Sequence, residues 1–249
     1  MTRRRFIADT WTTTTATLTG DQAAHLARVL RAAPGQTYDI VANGFLHRAE
    51  ITRVSEDSVQ FTLHEELESD AALPLHLFLA VFKFDHMEWA IEKSTELGIA
   101  KITPILATRT EKHLAHAALK RAERWRRIAL EASKQSRRTT IPEIADPIAL
   151  KQAVEQEKSP TRILLSETEQ QTTLTAAFAN SVRPTGYESV ALTFEITHAL
   201  AVGPEGGWTP EEMSLFTRHR WQPVTLGPRI LRAETAAIAA IAIASTHLA

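Results

Sequence analysis

The hydrophobic rhythm of the chain changes near residue 70. Before that point the apolar positions come in short runs. The stretch "TYDIVANGFLHRAEITRVSEDSVQFTLHEEL", residues 37–67, reads as strand-like runs rich in Val, Ile, Thr and Phe. Asn43-Gly44 separates two of them and predicts a tight hairpin, because both residues tolerate positive φ. "EDS", from Glu56, predicts a second turn. Ahead of these, "DQAAHLARVLR" has helical spacing, with Leu26, Val29 and Leu30 on one face. A small β-barrel with one helix fits this pattern.

"LESDAALP", Leu67 to Pro74, reads as a linker, which divides the chain into residues 1–72 and 73–249. Beyond it strands alternate with helices. "LHLFLAVF" is an apolar strand. "DHMEWAIEKSTELG" predicts a helix with marked ends: Asp85 as cap, Glu88 at capping-box spacing, Gly98 for the left-handed closing turn. "AKITPIL" is the next strand, followed by a basic helix and the strand "TRILLSE". "HALAVG", a helix from Thr209, "PVTLG" and an alanine-rich helix complete the pattern. Such alternation argues for a parallel sheet covered by helices.

Composition bounds the chemistry. The 249 residues include no cysteine, so disulfides, thiolate metal sites and cysteine nucleophiles are excluded. No apolar run reaches the roughly 18 residues needed to span a bilayer. "MTRRRFIADTW" lacks the apolar stretch of a secretory signal, so the expected location is the cytoplasm and no membrane partner is expected. The net charge of -1 conceals a basic segment at residues 116–138. There Lys120, Arg121, Arg124, Arg126, Arg127, Lys134, Arg137 and Arg138 stand against Glu123 and Glu131. Arg3, Arg4 and Arg5 form a second cluster. Two such clusters in a nearly neutral chain point to a polyanion partner. His113 and His116 lie one helical turn apart without an acidic partner at ligand spacing, so no metal is expected.

Two loops carry candidate chemistry. In "VGPEGGWTPEE", Thr209 is a good N-cap, Pro210 suits the first helical position and Glu212 completes a capping box. A glycine-rich loop therefore joins a strand to a helix, where open α/β sheets bind ligands. "TLGPRILRAETAAIAAIAIAS" repeats the plan around a second Gly-Pro turn. If the two strands are parallel neighbours, both loops lie on one edge and can grip one ligand. Neither the dinucleotide fingerprint nor the lysine-bearing phosphate loop is present. Glu205 would repel a phosphate but tolerate a hydroxyl or a cation.

"VGPEGGWTPEE" followed by "LGPRILRAETA" resembles the cofactor-binding signature of the RsmE family, SPOUT-class methyltransferases acting on N3 of a uridine in 16S ribosomal RNA of the small subunit. "FDHMEWAIEKSTELGIAKITPILATRT", "RWRRIALEASKQSRRTTIPEI" and "HLARVLRAAPGQ" extend the resemblance over nearly the whole chain. The resemblance implies an N-terminal PUA-like RNA-binding β-barrel and a C-terminal SPOUT α/β domain with a parallel sheet and a trefoil knot. It also implies S-adenosyl-L-methionine as cofactor and a homodimer with the pocket near the subunit interface. The small residues of the last helix would permit close helix approach there. The cofactor would be held by Leu165, Ser166, Val202, Gly203, Pro204, Glu205, Gly206, Gly207, Leu226, Gly227, Ile230, Leu231 and Arg232. Ala233 departs from the threonine often found at its place, which weakens any role assigned to a hydroxyl there.

N3 of uridine is a weak acid on the Watson–Crick edge and is reachable only when the base is unpaired. Arg232 and Glu234 flank the second loop and are the catalytic candidates. The arginine would stabilise charge on a uracil oxygen; the glutamate would accept a proton, orient the arginine, or simply complement a helix N-terminus. Candidate RNA contacts are Arg3, Arg4, Arg5, His25, Arg28, Arg31, Arg124, Arg127, Arg138 and Arg229. Two rival readings are a methyltransferase of the same fold acting on another RNA, and a non-catalytic RNA-binding ribosome-assembly factor. The second does not account for two paired glycine loops.

Overall fold

The computed structural model describes residues 5–69, 71–179 and 195–248. Arg3 and Arg4 lie outside these described residues. The chain divides into two compact units: Met1–Ala71 with Ser133–Ile141, and Ala72–Ala132 with Pro142–Ala249. The segment Ser133–Ile141 thus packs with the N-terminal unit although it lies well beyond residue 71 in the sequence.

The first unit contains β1 (Arg5–Ile7), β2 (Thr10–Trp11), β3 (Thr15–Thr19), β4 (Thr37–Ala42), β5 (Phe45–Val54) and β6 (Ser58–Leu67). Their order in the sheet is β1-β4-β5-β6-β3-β2, with β1 parallel to β4 and the other pairs antiparallel. The sheet curls as a half-barrel around Leu18, Leu26, Ile40, Ile51, Val59 and Phe61. Asn43 (φ 52°) and Gly44 (φ 81°) make the expected two-residue turn between Ala42 and Phe45. Both central residues have positive φ, as the right-handed twist of the flanking strands requires.

The expected helix is only partly regular. α1 (Gly20–Ala24) passes into a π-helical turn, His25–Val29. There Leu30 N–H donates to the carbonyl of His25, five residues back, at 3.1 Å. The wider turn rotates later side chains around the axis. Leu26 is buried as expected, but Val29 is 65% exposed, not on the buried face that simple helical spacing assigns it.

The second unit is built on β7 (Leu73–Ala80), β8 (Ile99–Leu106), β9 (Glu143–Ile144), β10 (Ile148–Ala149), β11 (Thr161–Leu165), β12 (His198–Val202) and β13 (Gln222–Val224). All pairs are parallel, in the order β10-β8-β7-β12-β11-β13, with β9 also on β8. β7 and β12 are apolar almost throughout because both sheet faces are covered. On one face Leu75, Leu77, Leu79 and Leu200 pack with α2 (Phe84–Glu96), α3 (Lys112–Gln135) and α7 (Ala233–Leu248). On the other, Phe78, Ala80, Leu164 and Ala201 meet side chains of α4 (Leu150–Gln156) and α6 (Pro210–Arg218), with Trp221 beside them. α5 (Leu174–Ala179) contributes Leu174, Ala177 and Phe178 to the first layer.

Helix ends separate local from long-range control. α6 starts with the expected capping box: Glu212 N–H donates to Thr209 Oγ1 at 3.3 Å, and Thr209 N–H donates to Glu212 Oε2 at 2.8 Å. α2 does not start as expected. It begins at Phe84, Asp85 lies in its first turn, and no side chain caps it. The carboxylate of Glu88 is instead held by Arg124 of α3 through two hydrogen bonds of 2.6 and 2.7 Å. Gly98 (φ 98°) closes α2 as expected.

Candidate active site

β12, β11 and β13 run parallel, so their carboxyl ends lie on one edge of the sheet. The two Gly-Pro loops follow β12 and β13. These strands are not direct neighbours, because β11 lies between them. Its end, Leu165 and Ser166, forms the middle of the site. Around this edge is a cavity of about 1090 Å³. All thirteen side chains and glycines expected to hold a cofactor line it, Leu165 and Ser166 at one level, Val202 to Gly207 and Leu226 to Arg232 around them.

The loop glycines differ in what they do. Gly207 (φ 71°) and Gly227 (φ 112°) occupy conformations that L side chains rarely adopt. Gly207 N–H closes a turn onto the carbonyl of Pro204 at 2.8 Å. Gly203 and Gly206 leave room instead for the protein's own side chains. A Cβ on Gly203 would stand 3.1 Å from the Trp208 ring, and one on Gly206 would stand 3.2 Å from Arg109 Cδ. Trp208 is fixed from the other side, its indole N–H donating to the carbonyl of Leu165 at 2.9 Å. Arg109 donates from Nη1 to the carbonyl of Gly206. Glu212 joins the two sides again, its Oε1 accepting from Thr108 N–H at 2.7 Å. The loop is therefore held in shape from β11 and from the turn after β8.

The walls fit S-adenosyl-L-methionine. Val202, Leu165, Leu226 and Leu231 offer apolar surface. The amides of Leu226 and Leu231 donate to no protein acceptor among the described residues, which leaves them available to a bound molecule. Glu205 is exposed at the cavity, where its carboxylate suits a cationic centre. Such a mixture of apolar lining with a few polar groups is what small-molecule sites use.

Arg232 and Arg229 are both exposed at the cavity, and Ile230 between them is 82% exposed. Glu234 is placed differently. It lies in the first turn of α7, only 2% exposed, and is not part of the cavity wall. Its Oε1 faces His86 Nδ1 on α2 at 3.6 Å. Sequence reasoning singled out neither His86, Arg109 nor Lys83, all of which line the cavity. Their approach to the loops depends on sheet order, which no local motif announces.

The basic residues also separate. His25, Arg28 and Arg31 are exposed in the first unit, and Arg127 is exposed on α3. Arg5 donates to the carbonyl of Arg137. Arg124 is engaged with Glu88. Arg138 is half-buried, its Nη2 donating to Thr140 Oγ1 at 3.3 Å, and burial pushes its guanidinium down to about 10. No helix among the described residues is long and apolar enough to cross a membrane.

Residues 69–245 match the model of the RNA methyltransferase domain family. The chain is similar to ribosomal RNA small subunit methyltransferase E of Synechocystis sp., with 35% identity over 92% of this chain and 72% of that protein. It is similar to the protein of the same name from Bacillus subtilis, with 33% identity over 93% of this chain and 90% of that one. Among solved structures it is similar to ribosomal RNA small subunit methyltransferase E from Neisseria gonorrhoeae bound to S-adenosyl methionine. That match has a TM-score of 0.78 and 29% identity, and covers 98% of both chains.

Proposed function

The chain belongs to the ribosomal RNA small subunit methyltransferase E family, and from this premise we propose that it methylates N3 of a uridine in 16S ribosomal RNA, with S-adenosyl-L-methionine as methyl donor. The observation that carries the reading is the shared edge. Two glycine loops and the end of β11 enclose one cavity, and Arg232 stands at its mouth. When bound, S-adenosyl-L-methionine supplies a methyl group on a sulfonium, whose departure leaves a neutral thioether and requires no metal.

The protein's own groups do the rest. Backbone at Gly203 to Gly207 and at Leu226 to Leu231 holds the cofactor, with Leu165 and Ser166 completing the wall. The target uridine must be unpaired to present N3. Arg232 offers a planar fork of donors that remains charged at all working pH values. It stabilises the uracil oxygen that gains charge as N3 loses its proton. Arg28, Arg31, His25, Arg127 and Arg229 are exposed and suited to phosphate contacts; Arg124 and Arg138 serve mainly the fold. Such a protein works in the cytoplasm as a homodimer. α7 supports the dimer: Ala237, Ala240, Ile241 and Ala244 face the core, while Ile238, Ala239 and Ala242 remain half-buried on another side.

The test is methyl transfer from labelled S-adenosyl-L-methionine to small-subunit ribosomal RNA, naked and assembled, followed by nucleoside mass spectrometry. N3-methyluridine is the expected product. A methyl group on another atom, transfer only to other RNAs, or cofactor-independent RNA binding without transfer overturns the assignment.

A further inference from the structure

We infer that His86 takes the proton from the target ring nitrogen and that Glu234 positions it for this step. The inference rests on the N3 reading above and extends it to the group that reading leaves unassigned, the base.

The cavity wall narrows the choice. Arginine cannot accept a proton, and an ammonium has none of its lone pair free, which removes Arg109, Arg229, Arg232 and Lys83. Glu169 is occupied, its Oε1 accepting from the amides of Gln171 and Thr172 at 2.7 and 2.9 Å. Glu167 and Glu205 are exposed carboxylates, weak bases for so weak an acid. His86 brings to the wall an imidazole, a side chain with a ring nitrogen able to accept a proton.

Glu234 explains its orientation. His86 Nδ1 and Glu234 Oε2 are both buried without a hydrogen-bond partner among the described residues. The nearest facing atoms of the two side chains are Nδ1 and Oε1, 3.6 Å apart, an ion-pair distance too long for a hydrogen bond. Buried polar atoms left unpaired are costly. Two such atoms on side chains that face one another make sense if the contact tightens during the reaction, as catalytic hydrogen bonds commonly do. A proton on Nδ1, directed at Glu234, leaves the lone pair on Nε2. Among the described residues, Asp85 on the same helix also faces the ring at ion-pair distance, with Oδ2 3.8 Å from Nε2 and a largely exposed side chain.

The electron balance is simple. The N3–H bond breaks and its proton goes to Nε2. The electron pair left on N3 forms the bond to the methyl carbon, and the pair of the broken carbon–sulfur bond stays on sulfur. Positive charge thereby moves to the imidazolium, beside a buried carboxylate that lacked a charged partner. An interaction stronger after proton transfer than before it lowers the barrier.

The experiment combines three measurements on the full chain. Single-turnover methylation with cofactor and RNA saturating should slow about 100-fold in His86→Ala, within the range lost with a general base. Added imidazole should restore part of that rate. Calorimetry should give nearly the wild-type affinity for S-adenosyl-L-methionine. His86→Gln provides the same comparison with a closer fit to the wild-type volume, should the alanine variant fold poorly. A substrate-free readout uses ¹⁵N-labelled histidine: Glu234→Gln should alter the tautomer signature of the His86 ring nitrogens. A near-normal rate in both His86 variants, loss without imidazole rescue, or an unchanged nitrogen signature in Glu234→Gln overturns the inference. Wild-type enzyme that methylates no ring nitrogen instead overturns the N3 reading, and the nitrogen spectrum still decides whether Glu234 orients His86.

Discussion

Two glutamate–histidine pairs in the second unit are finished differently. His76 of β7 donates from Nδ1 to Glu157 Oε2 at 2.8 Å and accepts on Nε2 from Thr103 at 2.8 Å. Glu157 Oε1 accepts from Ser159 N–H at 2.6 Å. Every named polar atom of this pair has a partner. His86 and Glu234 stand 3.6 Å apart, each with a buried atom that has none among the described residues. The first pair, although it borders a smaller cavity, is closed by hydrogen bonds; in the second, His86 lies in the wall of the glycine-loop cavity. A satisfied pair fixes a structure, whereas an unsatisfied one stores a preference for another charge state.

The largest effect should follow from opening the closed pair. Glu157→Ala leaves His76 Nδ1–H without an acceptor. Leaving a buried hydrogen-bond donor unsatisfied costs about 1–3 kcal/mol. Urea unfolding should show a loss of that size, while methylation by the protein that remains folded stays near normal. A destabilisation under about 1 kcal/mol would mean that the pair is no more closed than an exposed one.

Acid tests the same pair without a mutation. Burial raises the Glu157 carboxyl, but the hydrogen bonds from His76 and Ser159 outweigh it and bring it down to about 2. A carboxyl lower in the folded chain adds stability above its unfolded value of 4.5, and that stability is lost as pH falls towards about 2. Burial also lowers His76, and Glu157 only partly offsets this. Its contribution is likewise present above 6.5 and lost as pH falls below it. Both signs agree, so unfolding free energy should decline on acidification below 6.5 and more steeply below 4.5. Glu157→Gln should flatten the lower part of that slope.

Arg232 separates the cavity's chemistry from both pairs. It is exposed, so Arg232→Ala should leave the melting temperature nearly unchanged. Single-turnover methylation should nevertheless fall about 100-fold or more, the effect of losing a donor to developing charge. Arg232→Lys should recover only part, because an ammonium cannot reproduce the fork. A near-normal alanine variant would transfer the role to Arg229, three residues earlier at the same mouth.

What could be read from sequence was local. Asn43-Gly44 specifies a hairpin through its own φ preferences, and Thr209 to Glu212 specify a helix start through side chains one turn apart. The glycine loops announced a binding edge because strand–loop–helix order alone puts it at the carboxyl ends of strands. Long-range partners were hidden. Glu88 has capping-box spacing, but Arg124 on another helix binds its carboxylate. Arg109 supports the first glycine loop from the turn after β8, and His86 meets Glu234 only because α2 and α7 cover the same sheet face. Val29 was misplaced because a π-helical turn cannot be read from apolar spacing.

The smallest effect should be the most informative about the open pair. Glu234→Gln removes a buried charge that lacks a close partner, and relief of that burial favours the folded state. It also removes a negative charge from the first turn of α7, where interaction with the helix N-terminus is worth about 0.3–1 kcal/mol. The two changes oppose each other, so unfolding free energy should shift by less than about 1 kcal/mol in either direction. Glu157→Gln, which turns one oxygen into a donor within a closed network, should be clearly destabilising in parallel melts. If Glu234→Gln is destabilised as much as Glu157→Gln, Glu234 is a structural group held as firmly as Glu157, and the contrast between the pairs disappears. A variant that melts like wild type yet transfers methyl groups about tenfold more slowly, the loss expected from weakening one charge interaction by about 1.4 kcal/mol, would locate the carboxylate's effect in the reaction rather than in the fold.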